Sequence, residues 1–246
     1  MALYETEAIV LRSYNLAEAD RIVVFLTRDH GVVRGVAKGV KRLGSRFGGI
    51  LEPFTIVDLT FFQKESLELV SIRNVDLVRS NFAAVTDPPF LQKFSYLVEI
   101  LLAFTPPHDP NETLYRMVNA CVAAGTELPN KLVAICLYFE FWLLRLGGYL
   151  PDWSTCDRCA RVFAPDETAT FEGNSHLSCE TCRRGTHHRN VSAAQREIFR
   201  AGLTLSPADF ALAVSSEKDA VELSALIKEM ISKVLGREIR KEKVLL

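Results

Sequence analysis

The 246-residue chain contains no uninterrupted apolar run of about 18 residues, the length a membrane-spanning helix needs. The nearest approach, Leu132 to Leu146, is broken by Glu140 and Arg145. The first residues, Met1-Ala-Leu-Tyr-Glu-Thr-Glu7, lack the basic start and apolar stretch of a secretory signal. A cytoplasmic protein is therefore expected, with its six cysteines serving as thiols or metal ligands rather than disulfides. Internal repeats and low-complexity segments are missing. So are the common enzyme signatures. Gly39-x4-Gly44 has the spacing of a phosphate loop, but Ser45 follows where lysine is required. There is no His-Glu-x-x-His and no Gly-x-Ser-x-Gly. A non-catalytic protein is the expectation; a dispersed carboxylate set, as in a two-metal nuclease, would escape such motifs.

Net charge is nearly absent too, at −1, which rules out an argument for polyanion binding from bulk charge. The distribution tells otherwise. Eight basic residues (Arg12, Arg21, Arg28, Arg34, Lys38, Lys41, Arg42, Arg46) stand against three acids (Glu18, Asp20, Asp29) between positions 12 and 46. That segment carries +5 and leaves −6 to the rest of the chain. Local potential decides whether a polyanion is attracted.

What is present, first, is a set of five strand-like runs in about 80 residues: Ala8 to Leu11, Ile22 to Leu26, Val32 to Val40, Phe54 to Phe62 and Leu67 to Ile72. Turn signals at Asp29-His-Gly31, Gly44-Ser45 and Gly48-Gly49 separate them. Five short strands predict a small closed barrel of the OB type, with an SH3-like barrel as the alternative. In the third run Arg34, Val36 and Lys38 share one face, while Val33, Gly35 and Ala37 share the other. The small residues suit a tight interior and put the cations outside. The following segment, Lys41 to Gly49, reads as a flexible basic loop holding one aromatic. Such a loop suits a phosphate backbone and a stacked base. Tyr14 and Phe47 are the stacking candidates; packing in the core or a turn is the competing reading for both.

Beyond Asp87-Pro-Pro89 the periodicity becomes helical. Phe94, Leu97, Val98, Leu101 and Leu102 form one stripe, and Leu114, Met117, Val118, Cys121 and Val122 another, with Asn111 as its cap. The run from Leu132 is apolar on nearly every side, as expected of a buried central helix, and Gly147-Gly148 ends it. Ser192-Ala-Ala-Gln195 has the form of a capping box, Ser206-Pro207 opens a helix, and Ala220 to Leu235 closes on Gly236. The expected division is a β-barrel domain over residues 1–80 and a mostly helical domain over 81–246, α+β overall, with a small insertion at about 153–189.

That insertion holds Cys156-x2-Cys159 and Cys179-x2-Cys182, 19 residues apart. Each pair makes a tight knuckle that directs two thiolates at one point. Four thiolates complete a closed tetrahedron, so one structural Zn2+ is expected, with no open position for water. Iron in the same shell and a redox pair are the alternatives. His176, His187 and His188 lie close in sequence and read as surface or outer residues; Cys121 and Cys136, on apolar stripes, read as core thiols.

The segments Tyr4 to Arg21, Leu26-Thr-Arg-Asp-His-Gly31, Ala37-Lys-Gly39 and Ser45 to Phe54 together resemble the RecO family of bacterial DNA repair proteins. The likeness continues through Leu146-Gly-Gly-Tyr-Leu-Pro151 and the cysteine pairs, so it spans essentially the whole chain. It implies a recombination mediator with an N-terminal OB-fold and a helical C-terminal domain that carries a zinc module. It implies binding to single- and double-stranded DNA, annealing of complementary strands, pairing with RecR, and help in loading RecA onto DNA coated by single-strand-binding protein. The place of action would be the bacterial cytoplasm, at the nucleoid. Contact with DNA is carried onto Arg21, Arg34, Lys38, Lys41, Arg42 and Arg46, and metal ligation onto Cys156, Cys159, Cys179 and Cys182. A zinc-containing RNA-binding or transcription-associated OB-fold protein shares the features read from the residues alone.

Overall fold

A computed structural model describes residues 2–47, 49–63, 68–172, 175–184 and 189–236. The chain divides into two compact units, with the break between Glu127 and Leu128.

The first unit is built on five strands, β1 (Ala2–Asn15), β2 (Arg21–Thr27), β3 (Val32–Ala37), β4 (Ile56–Gln63) and β5 (Leu69–Arg79). They close into a barrel in the order β1-β2-β3-β5-β4, an OB-type arrangement, so the SH3-like alternative falls away. β1 and β5 are much longer than their apolar runs, because their outer halves alternate with charged residues. That length allows closure. β1 pairs with β4 through Ala2–Ile9 and with β2 through Ala8–Asn15. β5 pairs with β4 along most of its length, but its start runs parallel to β3, matching Arg34 with Leu69, Gly35 with Val70 and Val36 with Ser71.

The interior follows the two-residue period of the strands. Ala8, Val10, Val23, Phe25, Val33, Ala37, Val57, Leu59 and Phe61 are all fully buried in one cluster. Gly35 lies where a side chain cannot fit, since a Cβ there would come within 2.7 Å of Ile72 Cγ1. Three helices follow in the same unit: α1 (Phe82–Val85), α2 (Pro88–Phe104) and α3 (Glu112–Glu127). The Asp87 side chain caps α2 by accepting from Phe90 N, and Pro88-Pro89 sit in its first turn. Asn111 does the same for Leu114 N at α3. Phe54 meets the rings of Phe90 and Phe94 edge-on, and the Tyr115 hydroxyl donates to Glu7 on β1 at 2.9 Å. These contacts seat α2 and α3 on the barrel.

The second unit is organised on α4 (Leu132–Leu146), which buries eleven of its fifteen residues. Around it lie α5 (Ala193–Gly202), α6 (Pro207–Ala213) and α7 (Glu217–Leu235). The capping box at Ser192–Gln195, the Ser206 cap and the left-handed Gly236 all form as their residue types dictate. Between α4 and α5 sits a small module with three short strands, β6 (Ala169–Phe171), β7 (Leu177–Ser178) and β8 (Arg189–Val191), in the order β7-β6-β8. Among the described residues no single helix is long and apolar enough to cross a membrane.

Gly35→Val is expected to force Ile72 and Val70 out of place and to destabilise the protein by about 1–3 kcal/mol. Chemical denaturation measures this, and a variant as stable as the parent would contradict the tight interior.

Candidate nucleic-acid interface and candidate metal centre

On β3 the alternation puts Arg34 in solvent and buries Val33, Gly35 and Ala37; Lys38, the residue after the strand, is exposed. Arg21 opens β2 directly opposite Ala37, half-buried beside the start of the next turn. That turn is tied to the β1–β2 loop. Gly39 N donates to the Asp20 carboxylate at 2.8 Å, Lys41 N donates to Ala19 O, and Lys41 Nζ donates to Ala17 O. Residues 41–47 are not the loose loop expected. They form successive hydrogen-bonded turns, Arg42 N to Gly39 O and Ser45 N to Arg42 O, anchored by Phe47. Phe47 is 1% exposed and belongs to the barrel core, so its ring is closed to a base. Its packing leaves Lys41, Arg42 and Arg46 exposed, with the Arg46 guanidinium over the Phe47 ring at 4.8 Å.

Among the described residues Arg21, Arg34, Lys38, Lys41, Arg42 and Arg46 form no ion pair. Arg28, Arg158, Arg161, Arg189 and Arg200, by contrast, each hold a carboxylate. The Asp20 carboxylate accepts from the Gly39 backbone amide. A seventh cation escapes the sequence pattern. Strict alternation from Ala8 and Val10 would point Arg12 into the barrel. A bulge between Val10 and Arg12 pairs Arg12 with Val24 instead, and Val24 in turn pairs with Arg34. Arg12, Val24 and Arg34 therefore form one row across the outer face, and Tyr14, Ile22 and Val36 form the next. Tyr14 keeps 39% of its surface exposed.

In the second unit the four cysteines converge. The Sγ atoms of Cys156, Cys159, Cys179 and Cys182 all lie within 4.8 Å of one another. Ala160 N folds back to Cys156 O in the first knuckle, and Cys182 N to Cys179 O in the second. Sulfurs held about 2.3 Å from a tetrahedral ion lie roughly 3.8 Å apart, so the set fits a metal ion. Its electrostatics agree. Burial opposes a charged Cys156, but the amides of Cys179, Cys159 and Arg158 point at its sulfur and bring the thiol down to about 6. Cys179 is lowered against the same burial cost, chiefly by the amide and thiol of Cys182. Cys182 goes the other way. Hydrogen bonds with the Cys179 and Cys159 sulfurs push it up to about 12. A divalent cation among the four sulfurs would supply countercharge to their thiolates. His176 is half-exposed beside Asp157, 3.1 Å away, and is not one of the clustered ligands; His187 and His188 lie outside the described residues. Cys121 and Cys136 are buried on their helices, as core thiols.

Two family models cover the chain: "Recombination protein O N terminal" matches residues 1–81, and "Recombination protein O C terminal" matches residues 94–243. The chain belongs to the RecO family. Its relatives include the DNA repair protein RecO of Thermobifida fusca (strain YX), 32% identical over 249 residues, which span 98% of this chain and 97% of that one. Those of Koribacter versatilis (strain Ellin345) and Bifidobacterium longum subsp. infantis are 36% and 38% identical over 69% and 73% of this chain, and over 68% and 74% of their own lengths. The family's N-terminal region ends within two residues of β5, so it coincides with the barrel.

In this RecO chain the cysteine module is fastened to α5 by an arginine. Arg196 Nη2 donates to Ala164 O and Glu167 O, both at 2.7 Å, and its guanidinium covers the Phe163 ring. Trp153 stacks on Phe199 at 4.5 Å. Within the module Arg161 grips both oxygens of Glu167, at 2.8 and 2.6 Å. The Arg161 hydrogen bonds hold the Glu167 carboxyl at about 2, below its ordinary 4.5. A lowered carboxyl stabilises the fold above its ordinary value, and that stabilisation disappears as pH falls through the folded value. Glu167→Gln is therefore expected to lower the melting temperature at neutral pH. The gap to the parent should narrow between pH 4.5 and pH 2. A gap independent of pH would overturn the assignment.

Proposed function

We propose that this RecO-family protein binds single- and double-stranded DNA through the basic end of its barrel and anneals complementary strands. One observation carries the reading: five exposed cations and the half-buried Arg21, none held by a carboxylate among the described residues, lie on and beside one end of an OB-type barrel. Two polyanions repel each other on approach, and a surface that neutralises both lowers that repulsion. Contacts to phosphate leave base edges free to pair. No bond is made or broken, so no catalytic residue is needed. Family membership further supports action with RecR, and help in loading RecA onto DNA coated by single-strand-binding protein, in the bacterial cytoplasm.

The four cysteines would hold one structural Zn2+. The ion would supply the countercharge that four thiolates need, and the closed set of sulfurs leaves no place for a reacting water. Its chemistry is that of a staple for a module too small to bury a core of its own.

Six neutralised phosphates give a slope of log K against log salt of about −4 on single strands. Replacing Lys38, Arg42 and Arg46 together with alanine should remove about half of that slope and slow annealing in the absence of nucleotide. Unchanged annealing in the triple variant would overturn the proposed surface. Tight selective binding to RNA without annealing would favour the RNA-binding reading.

Cys156→Ser is expected to release the metal and to lower the stability of the second unit. Elemental analysis of the parent finding neither zinc nor iron in stoichiometric amount would refute the metal centre.

A further inference from the structure

The outer face of β1, β2 and β3 carries a feature that phosphate binding does not use. The register lines up Tyr14, Ile22 and Val36 in one row, beside the row of Arg12, Val24 and Arg34. Ile22 and Val36 are half-buried and give the row an apolar floor. Tyr14 stands exposed at the β1 end of it. The Arg12 guanidinium lies over the Tyr14 ring, 5.0 Å from its centroid. Arg12 Nε is buried and makes no hydrogen bond among the described residues. An arginine in that position spends its guanidinium on supporting a ring rather than on a carboxylate.

We infer that Tyr14, backed by Arg12, is a stacking platform for an unpaired base of single-stranded DNA; the inference rests on the proposed nucleic-acid surface. The chemistry of recognition is specific to the single strand. A base inside a duplex has both faces covered by its neighbours and offers no free face to a protein ring. An unpaired base does, and stacking on an aromatic side chain accepts any base. Arg34, in the adjoining row and without a carboxylate, offers charge to the backbone of the same strand. Stacking uses the face of the base and leaves its pairing edge open, so a strand held this way remains competent to meet its complement. The platform thus separates two tasks on one barrel. The turn cluster around Lys38, Lys41, Arg42 and Arg46 attracts any nucleic acid, and the Tyr14 row retains the strand whose bases are free.

The test compares the full chain with Tyr14→Ala, Tyr14→Phe and the Lys38, Arg42, Arg46 triple alanine variant. Each is titrated with a fluorescent oligothymidylate and with a duplex of equal length, across a salt series. Stacking contributes about 1–3 kcal/mol per base, so Tyr14→Ala should weaken single-strand binding roughly 10-fold. Duplex binding should stay within about twofold, and Tyr14→Phe should restore the parent affinity. Because a stacked ring releases no counterions, the salt slope of Tyr14→Ala should equal that of the parent. Equal losses on both substrates would mean that Tyr14 only supports the fold, and would overturn the platform. So would parent-like single-strand affinity in Tyr14→Ala while the triple variant is impaired. Parent-like affinity and slope in the triple variant would instead bring down the basic surface on which the inference rests.

Discussion

Closure of the barrel by the parallel pairing of β3 with β5 is the constraint from which the basic face follows. β3 is only six residues long, and it is held on one side by β2 and on the other by the first residues of β5. The pairing brings Val70 and Ile72 against the backbone at Gly35, where any side chain would collide. With Gly35 inside, the two-residue period puts Arg34 on the outer face, where it is exposed, and Lys38 follows, exposed, just past the strand. The chain leaving β3 must then turn at the rim, where Phe47 descends into the core and the cations around it are left outside. The same side chains that fill the interior therefore set where the positive charge lies.

The second unit solves a different problem. α4 is apolar on nearly every side and supplies a core that three helices can share. The cysteine module has little core of its own. Trp153, Phe171 and Phe163 are buried, but they lean on α5 through Phe199 and Arg196 rather than on one another alone. Convergent thiolates and a lowered Glu167 carboxyl fit that arrangement. The Arg161–Glu167 pair adds a contact that responds to pH in a way that a hydrocarbon core does not.

The parts of the molecule that could be read along the chain were those governed by local periods. The alternation of Val57, Leu59 and Phe61 with Asp58 and Thr60, the helix starts at Asn111, Ser192 and Ser206, and the paired cysteine knuckles each depend on residues within a few positions of one another. They form as their residue types require. The ends of β1 and β5 were not legible, because an exposed half-strand with alternating charge resembles a polar loop until its partner is known. Residues 41–47 looked like a flexible loop for the same reason: the Asp20 carboxylate and the Ala17 and Ala19 carbonyls that secure the turn are about 20 residues away in sequence.

Composition, period and spacing are properties of neighbouring residues, and they suffice for a β-barrel with a basic stretch, a helical remainder around one apolar helix, and a four-thiolate set. Which cations share a face depends on contacts between distant strands. The bulge after Val10 turns Arg12 outward beside Tyr14, and Phe47, equally eligible as a ring for stacking, is drawn into the core. Both outcomes depend on pairing register and on the volume left inside a closed barrel, and neither quantity exists until strands distant in sequence have met.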